Sequence, residues 1–341
     1  LGFTSGYGPA PIINSADLEG AFPGSTLCGL GGLGSFISPW PPGTFNGEIV
    51  ACTRGTFGRV EKGANVLAAG AGGYILMDNG SGLVGDAHVL PGVHISQADG
   101  AVLGPWITAE NLAGNSPMAV IEGYSIDLDP SNGDVMAGFS SRGPQLVFDV
   151  LKPDVTAPGV SVFAAEADGQ TSLSPEYQFL GGTSMSSPHN AGAGALMTAR
   201  HPNWTPQEIK SALMLTSHTA VLKEDAATPA DPFDYGAGHI QVDQAQNSGL
   251  VLSESIGNFI AADPDAGGDP STLNLASMMD SNCVVSCSWT RTVTNAMNNT
   301  GHWNVTAEGF GFDVEVSVSP ESNSDDYNLK LKKGQRATIT V

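Results

Sequence analysis

The sequence contains 341 residues, which is enough for two or three domains. Its 13 lysines and arginines stand against 34 aspartates and glutamates, which gives a formal net charge of −21 at pH 7. So few basic residues argue against a nucleic-acid partner, because phosphates would not be neutralised. The sequence has no apolar run of membrane-spanning length, which argues against a membrane partner. With charged residues at 14% of the chain, the composition favours a polar, acidic, secreted protein over a disordered one.

Both ends of the sequence resemble cuts within a longer protein. Leu1 is not preceded by a signal-peptide pattern, and residues 338–341 stop inside an alternating stretch that predicts a strand. We therefore interpret the chain as a fragment, and we expect any targeting segment to lie outside it.

Residues 1–130 form the first predicted domain. Residues 47–52 predict a strand, and residues 60–70 predict a helix that glycine terminates. Residues 73–77 are a continuous apolar run, typical of a buried strand, and a turn signal follows them. Residues 90–96 predict a further strand.

The four cysteines fall into two local groups, Cys28 with Cys52 and Cys283 with Cys287. Three pairings are possible on paper, and we predict disulfides within each local group. These disulfides imply an oxidising compartment. Four reduced cysteines are the alternative. Zinc is disfavoured, because no histidine stands at ligand spacing beside either pair.

Two proline-containing segments follow the first domain. Residues 136–144 and 151–159 predict strand-and-turn pieces in which proline fixes the shape of the loops. Asp154 lies in the second piece and is expected to be structural. Residues 160–164 then predict a strand.

The most informative motif lies in a strand–turn–helix unit. Residues 177–180 predict a short strand, and the two glycines that follow permit a tight turn. Residues 191–197 predict a helix of small side chains. Ser184 is then placed at the helix N-terminus, where unpaired N–H groups and the helix dipole stabilise negative charge. An acyl-transfer nucleophile benefits there, because its own N–H can bind the developing oxyanion.

The octapeptide Gly182-Thr183-Ser184-Met185-Ser186-Ser187-Pro188-His189 resembles the nucleophile motif of subtilisin-like serine proteases, the subtilases of peptidase family S8. Residues 136–144 and 151–159 resemble the segments that lead to this motif. The resemblance implies a catalytic Ser184 whose backbone N–H supplies part of the oxyanion hole, with Gly182 and Thr183 in the active-site loop. The alternative is a Gly/Ser-rich turn whose serines cap a helix. The octapeptide with both its flanks favours the protease.

The first domain also resembles a known module. The order of its elements, and residues 47–79 in particular, are similar to the protease-associated (PA) domain inserted in some subtilases. Two segments of this block mimic parts of a catalytic triad, one with Asp86 and His88 and the other with Asp78. The two segments lie too close together in the sequence to end two separate strands of a large sheet. Asn115 mimics the oxyanion asparagine. All four residues fall inside the PA-like block and are therefore expected to be structural.

The remainder of the predicted peptidase domain, residues 131–252, contains a capping box at Thr205-Pro206-Gln207-Glu208. An apolar helical face follows that box. His239 and His189 stand where the family pattern has structural residues, so neither is expected to be the catalytic base. Asn190 departs from the family pattern, which has an aliphatic residue there. Its buried amide needs partners, and we expect a bond to a neighbouring loop.

Residues 253–270 are predicted to be a linker from their composition. Their acids, and Asp127, Asp129 and Asp134, are candidate calcium ligands, but neither group has a regular ligand spacing. Solvated acidic loops are favoured, so we predict no cofactor and no metal site, with calcium as the open alternative.

Residues 271–341 contain two stretches, 289–295 and 312–320, in which apolar side chains alternate with period two. This pattern is typical of a β-sandwich. It resembles the fibronectin-III-like domain that follows the peptidase in PA-containing subtilases. We expect the sandwich to be incomplete, because the sequence stops within it.

The predicted fold is therefore multidomain: a β-rich PA domain, part of an α/β parallel-sheet subtilisin-like domain, and an all-β sandwich. In a subtilase the triad runs Asp, His, Ser along the chain, and we find only the serine. The resemblance implies the C-terminal portion of a secreted endopeptidase that acts on protein or peptide substrates. The chain alone is expected to be inactive without its upstream half. The alternative is a non-catalytic PA and β-sandwich binding module with a relic serine motif.

Overall fold

The computed structural model describes residues 5–32, 34–125, 129–145, 148–165, 177–309, 311–322 and 324–341. The chain divides into two compact units. The first unit comprises Leu1–Pro130, Ala137–Ser140 and Pro158–Met185. The second unit comprises Ser131–Met136, Ser141–Ala157 and Ser186–Val341. No helix among the described residues is both long and apolar enough to cross a membrane.

The first unit is built on a five-stranded sheet of order β4-β3-β2-β1-β5. Strands β1 to β4 run parallel to their neighbours, and β5 is antiparallel to β1. The strands are β1 (Tyr7–Asn14), β2 (Ile49–Thr53), β3 (Gly73–Met77), β4 (Gly92–Ile95) and β5 (Met118–Ile121). The predicted strands at 47–52, 73–77 and 90–96 are thus confirmed.

Helices cover both faces of this sheet, as a parallel sheet requires. The helices are α1 (Arg59–Ala68) and α2 (Gln97–Leu112). Val50 and Cys52 of β2 point to the face that contains Val66 of α1, whereas Ile49 and its alternate neighbours point to the face that contains Ile107 of α2. The first unit is therefore a layered structure of helices and a mixed sheet. It contains more helix than the predicted β-rich domain would.

A two-stranded antiparallel sheet follows, formed by β6 (Val162–Ala165) and β7 (Tyr177–Leu180). Both predicted strands are thus present. The next element is the 18-residue helix α3 (Thr183–Arg200), which begins three residues after β7 ends. Two isolated parallel β-bridges occur among the described residues between 131 and 252. They pair Val135 with Leu222 and Thr156 with His239.

The second unit packs helices around a core that includes Met197, Ala212 and Leu213. Thr205 and Glu208 form the predicted capping box at the start of α4. Its helices after α3 are α4 (Pro206–Leu215), α5 (Pro232–Tyr235), α6 (Val242–Ala245) and α7 (Ile256–Ala261). Helix α7 lies within the segment predicted as a linker, and its Ser255 N-cap accepts a hydrogen bond from the Asn258 N–H.

The C-terminal strands form two antiparallel sheets, of order β11-β13-β9-β8 and β10-β12. Val293, Leu329 and Leu331 are buried in their shared core. The first predicted stretch becomes β9, whereas the second forms only a three-residue strand. The strands are β8 (Leu250–Val251), β9 (Thr290–Asn295), β10 (Gly301–Trp303), β11 (Ser317–Ser319), β12 (Leu329–Leu331) and β13 (Arg336–Thr340).

Candidate active site

Ser184 lies at the junction of a strand and a helix. Helix α3 begins at Thr183, so Ser184 is its second residue. Gly182, just before the helix, has φ +157°, and its N–H donates to the Gly159 carbonyl at 2.8 Å. Residues with a Cβ rarely adopt this φ, so the geometry of the turn accounts for glycine at position 182.

The neighbouring Gly181 is required for a different reason. A Cβ added at this residue would lie 2.9 Å from the Cγ1 atom of Val84, closer than carbon atoms pack. The two glycines therefore serve separate purposes: Gly181 permits close packing and Gly182 permits the backbone conformation. Together they bring the chain from β7 into the first turn of α3.

The Ser184 side chain is exposed at the start of this helix. The first turn of an α-helix leaves its N–H groups without intrahelical acceptors, and the helix dipole adds a partial positive charge there. A negative charge that develops beside Ser184 is therefore stabilised. The turn can present a serine hydroxyl to a ligand and donate the serine's own N–H to an oxyanion.

From Ser186 onward, helix α3 is held by contacts within the second unit. Ala193 and Met197 are buried in the second unit. The Ser186 hydroxyl donates to the Ala157 carbonyl at 2.8 Å. Ser187, like Ser184, is exposed. The three serines of the motif thus differ: Ser186 anchors the helix, and the other two face outward.

Within the described part of the chain, Asn190 does not bond to a neighbouring loop, so that prediction is wrong. Its Nδ2 donates to the Ser186 carbonyl at 3.3 Å, one turn earlier in the same helix. Its Oδ1 is buried and has no hydrogen-bond partner among the described residues. A polar side chain inside a helix often satisfies itself on the carbonyl four residues back, a local contact that sequence reasoning overlooked here.

No histidine in the described ranges forms a hydrogen bond with Ser184. His189 follows it by five residues, which places the two side chains about 140° apart around the helix axis. His239 bonds to Asp134, and His201 bonds to the Gln246 carbonyl. A base for Ser184 is therefore not supplied by these contacts.

Asp86 and His88, which resemble part of a catalytic triad, are packed against other side chains of the first unit. Arg59 Nη2 donates to Asp86 Oδ1 at 3.0 Å, and Asp86 is buried. Burial lowers the pKa of His88 to about 4, and its ring packs edge-on against Tyr74 with centroids 5.0 Å apart. These contacts are those of a buried structural network.

Asp78 belongs to the same kind of environment. Burial opposes its ionisation, but hydrogen bonds from Arg54, Gly80 and Gly82 outweigh that effect and hold its pKa below the usual value. His94 Nε2 lies 3.3 Å from Asp78 Oδ1, and burial lowers the pKa of His94. Asn115, the fourth mimic, is exposed and bonds to the Glu110 side chain at 2.7 Å.

Asp154 bridges two lysines of the second unit, Lys152 and Lys210, each at 2.7 Å. Burial opposes its charged form, but hydrogen bonds from both lysines outweigh burial and lower its pKa. This arrangement is a structural ion-pair network. Thr156, two residues after Asp154, forms a parallel β-bridge with His239.

The structure forms both predicted disulfides. Cys28 and Cys52 are fully buried beside the sheet of the first unit, with Cα atoms 5.9 Å apart. Cys283 and Cys287 close a short loop, with Cα atoms 5.6 Å apart. No free cysteine occurs.

Several of the candidate calcium ligands have other roles in the structure. Asp263 and Asp269 each cap a short 3-10 helix by accepting a backbone N–H. Asp127 lies outside the described residues. Asp134 contacts His239 and His218, and these three residues are named here the Asp134 cluster. Sequence reasoning missed it, because its members are separated by about 80 and 20 residues.

A model of the subtilase family matches residues 49–238. Subtilisin-like protease SBT5.4 of Arabidopsis thaliana is 35% identical over 268 residues, which cover 73% of this chain and 33% of the relative. SBT1.7 of the same plant is 34% identical, and the match covers 88% of this chain and 44% of the relative. The chain thus spans less than half the length of these curated relatives.

Among solved structures, a psychrophilic subtilisin-like protease from an Antarctic Pseudoalteromonas matches at 14% identity. The match covers 72% of this chain and 41% of the solved chain, with a TM-score of 0.22. A score this low carries no argument about the fold.

Proposed function

We propose, from the premise that the chain belongs to the subtilase family, that it is the nucleophile-bearing part of a secreted serine endopeptidase. One observation carries the proposal: Ser184 is exposed in the first turn of α3, directly after a turn that requires glycine. The substrate is a protein or peptide. Cofactors are not needed for the chemistry proposed here.

In the proposed reaction, Ser184 Oγ attacks the carbonyl carbon of the scissile peptide and loses its proton to a histidine. The Ser184 N–H donates to the oxyanion that forms. Collapse of this intermediate breaks the peptide C–N bond, the leaving amine takes the proton, and an acyl ester remains on Ser184. Water then hydrolyses the ester and restores the serine.

The proposal assigns the histidine, the aspartate and the side-chain oxyanion donor to a segment upstream of Leu1 in the whole protein. Two findings support this assignment. The described histidines form no hydrogen bond with Ser184, and the chain covers 33% and 44% of two relatives that it matches over most of its own length. We therefore propose that the chain alone does not hydrolyse peptides.

The flanking regions are proposed to serve the protease without taking part in its chemistry. Residues 1–130 correspond to a PA-like domain that gates substrate or contacts partners, and residues 271–341 to a fibronectin-III-like domain. Two antiparallel sheets around one core support the second assignment. Two disulfides support export to an oxidising compartment.

Active-site labelling tests the proposal. The full-length protein is treated with a fluorophosphonate probe, alongside its Ser184→Ala and Ser187→Ala variants. Labelling should be lost with Ser184→Ala and retained with Ser187→Ala, which removes an exposed hydroxyl from the same helix turn. Failure of the intact, folded protein to react would favour the non-catalytic binding module.

A further inference from the structure

Three side chains that the protease chemistry does not use meet in the second unit, in the Asp134 cluster. Asp134 Oδ1 lies 2.6 Å from His239 Nδ1, and Asp134 Oδ2 lies 3.4 Å from His218 Nε2. One nitrogen or oxygen atom of each residue lies within 4.8 Å of the other two. A single ion between them would therefore reach all three side chains with small side-chain adjustments.

The backbone holds the two histidines side by side. The His218 N–H donates to the His239 carbonyl at 3.0 Å, and the His239 N–H donates back to the His218 carbonyl at 2.9 Å. Such a reciprocal antiparallel pair directs both side chains to the same face. Gly238, with φ +124°, permits this approach, because a Cβ there would lie 2.3 Å from the His218 carbonyl oxygen.

The carboxylate is positioned by a backbone conformation that is unusual for aspartate. Asp134 has φ +54°, in the left-handed region that glycine favours. Its carbonyl accepts the Leu222 N–H at 2.8 Å, and the Leu222 carbonyl accepts the Met136 N–H at 2.8 Å. These bonds tie the Asp134 segment to the chain four residues after His218, so the backbone on both sides of the cluster is fixed.

The donor set decides which ion suits the site. Two imidazoles and one carboxylate are a ligand set of zinc and related first-row divalent metals, whereas calcium and magnesium prefer oxygen ligands alone. The side chains of Asp134, His218 and His239 are 38%, 33% and 27% exposed, so an ion there would have access to water. None of the three residues belongs to the Ser184 turn, residues 181–184.

We propose that Asp134, His218 and His239 bind one Zn²⁺ ion, with water completing its coordination. The ion would join three segments of the second unit, around residues 134, 218 and 239. The proposal does not depend on catalysis at Ser184, so it stands or falls separately from the protease assignment.

Calorimetric titration of the purified chain with ZnCl₂ at neutral pH tests the site. We expect one saturable site per chain. Asp134→Asn and His218→Gln should each weaken binding by at least about tenfold, since even the groups that support metal ligands contribute about that much. His302→Gln is the matched control, because His302 is an exposed histidine of the same unit that packs on Tyr327. It should bind zinc as the unaltered chain does.

A second measurement uses the unaltered chain and does not depend on how the variants fold. Diethyl pyrocarbonate acylates accessible imidazole nitrogens, and mass spectrometry locates the modified residues. Zinc should protect His218 and His239 while leaving His302 reactive. Absence of saturable binding would overturn the proposal, as would equal modification of all three histidines with and without zinc. Folded Asp134→Asn that binds as tightly as the unaltered chain would also overturn it.

Discussion

The buried polar network of the first unit and the Ser184 turn place reactive residue types in opposite environments. Asp86 is 1% exposed and is held by the Arg59 guanidinium. Ser184, in contrast, is exposed at the start of α3. Both regions contain residues that resemble parts of a catalytic triad. Their surroundings separate a buried ion-paired network from an exposed hydroxyl.

The pKa of His88 shows the same difference between the two regions. Burial lowers the pKa of His88 to about 4, and neither ring nitrogen has a hydrogen-bond partner among the described residues. A general base works best with a pKa near the operating pH, so His88 is poorly suited to that role at neutral pH. The network is enclosed by the first unit, whereas the first turn of α3 leaves the Ser184 hydroxyl exposed beside unpaired N–H groups.

The largest expected effect comes from removing the nucleophile. In the full-length protein, Ser184→Ala should lower kcat for peptide hydrolysis by about six orders of magnitude, the loss found when the nucleophile of subtilisin itself is removed. Steady-state kinetics with a chromogenic peptide measures this effect. A Ser184→Ala enzyme that kept a tenth of the activity would contradict the assignment, with Ser187→Ala as the control.

Breaking the buried network should affect stability instead. Asp86→Ala leaves the Arg59 guanidinium without its buried partner, and we expect the free energy of unfolding to fall by about 3 kcal/mol. Urea denaturation of the chain provides the measurement. Glu224→Ala, which removes an exposed partner of Arg142, should cost less than about 1 kcal/mol. Equal losses in the two variants would remove the distinction between buried and exposed pairs.

The two disulfides offer a similar comparison, with losses of the same order. Removing Cys28–Cys52 opens a loop with a sequence separation of 24, and removing Cys283–Cys287 opens one with a separation of 4. Loop-closure entropy predicts losses of about 3.5 and about 2 kcal/mol, respectively. Paired Cys→Ala variants in thermal and urea unfolding test the order. A larger loss from the short, C-terminal loop would be the unexpected result.

The response of the first unit to acid is predicted to be about as large as the loss from the short disulfide loop. The unfolded chain binds a proton at His88 below pH about 6.5, whereas the folded chain resists protonation until pH about 4. Stability therefore falls as pH drops through this window, by about 2 kcal/mol at pH 5. His88→Phe keeps a ring against Tyr74 and should remove this component of the pH dependence.

The matched control for this experiment is His302→Phe, since His302 also packs on a tyrosine but is exposed. Urea unfolding of the unaltered chain and both variants at pH 7 and pH 5 gives the comparison. If His88→Phe and His302→Phe change the pH dependence equally, burial is not the cause of the response.

Local features of this fold could be predicted from the sequence. The strand at 73–77 is a continuous apolar run, and the Thr205 capping box fixes the start of α4 within a few residues. The disulfide pairs were predicted from local grouping. The strand and the capping box depend on neighbours along the chain, so sequence patterns report them directly.

Other features depend on contacts that the sequence does not display. Helix α2 contains Pro105 and no clear apolar stripe, yet it packs on β3 because Gly100 allows its backbone to approach Met77. Similarly, α7 formed where composition predicted a linker. The Asp134 cluster joins residues from three distant segments, and no pattern in any one of them indicates the other two.

Mapping the fluorophosphonate adduct tests the central claim most directly. The full-length protein and the present chain are each exposed to the probe, digested, and analysed by mass spectrometry. The account predicts an adduct on Ser184 of the full-length protein and none on the isolated chain, because it assigns the base to the upstream segment. An adduct on another serine of the full-length protein, or equal modification of Ser184 in the isolated chain, would contradict it.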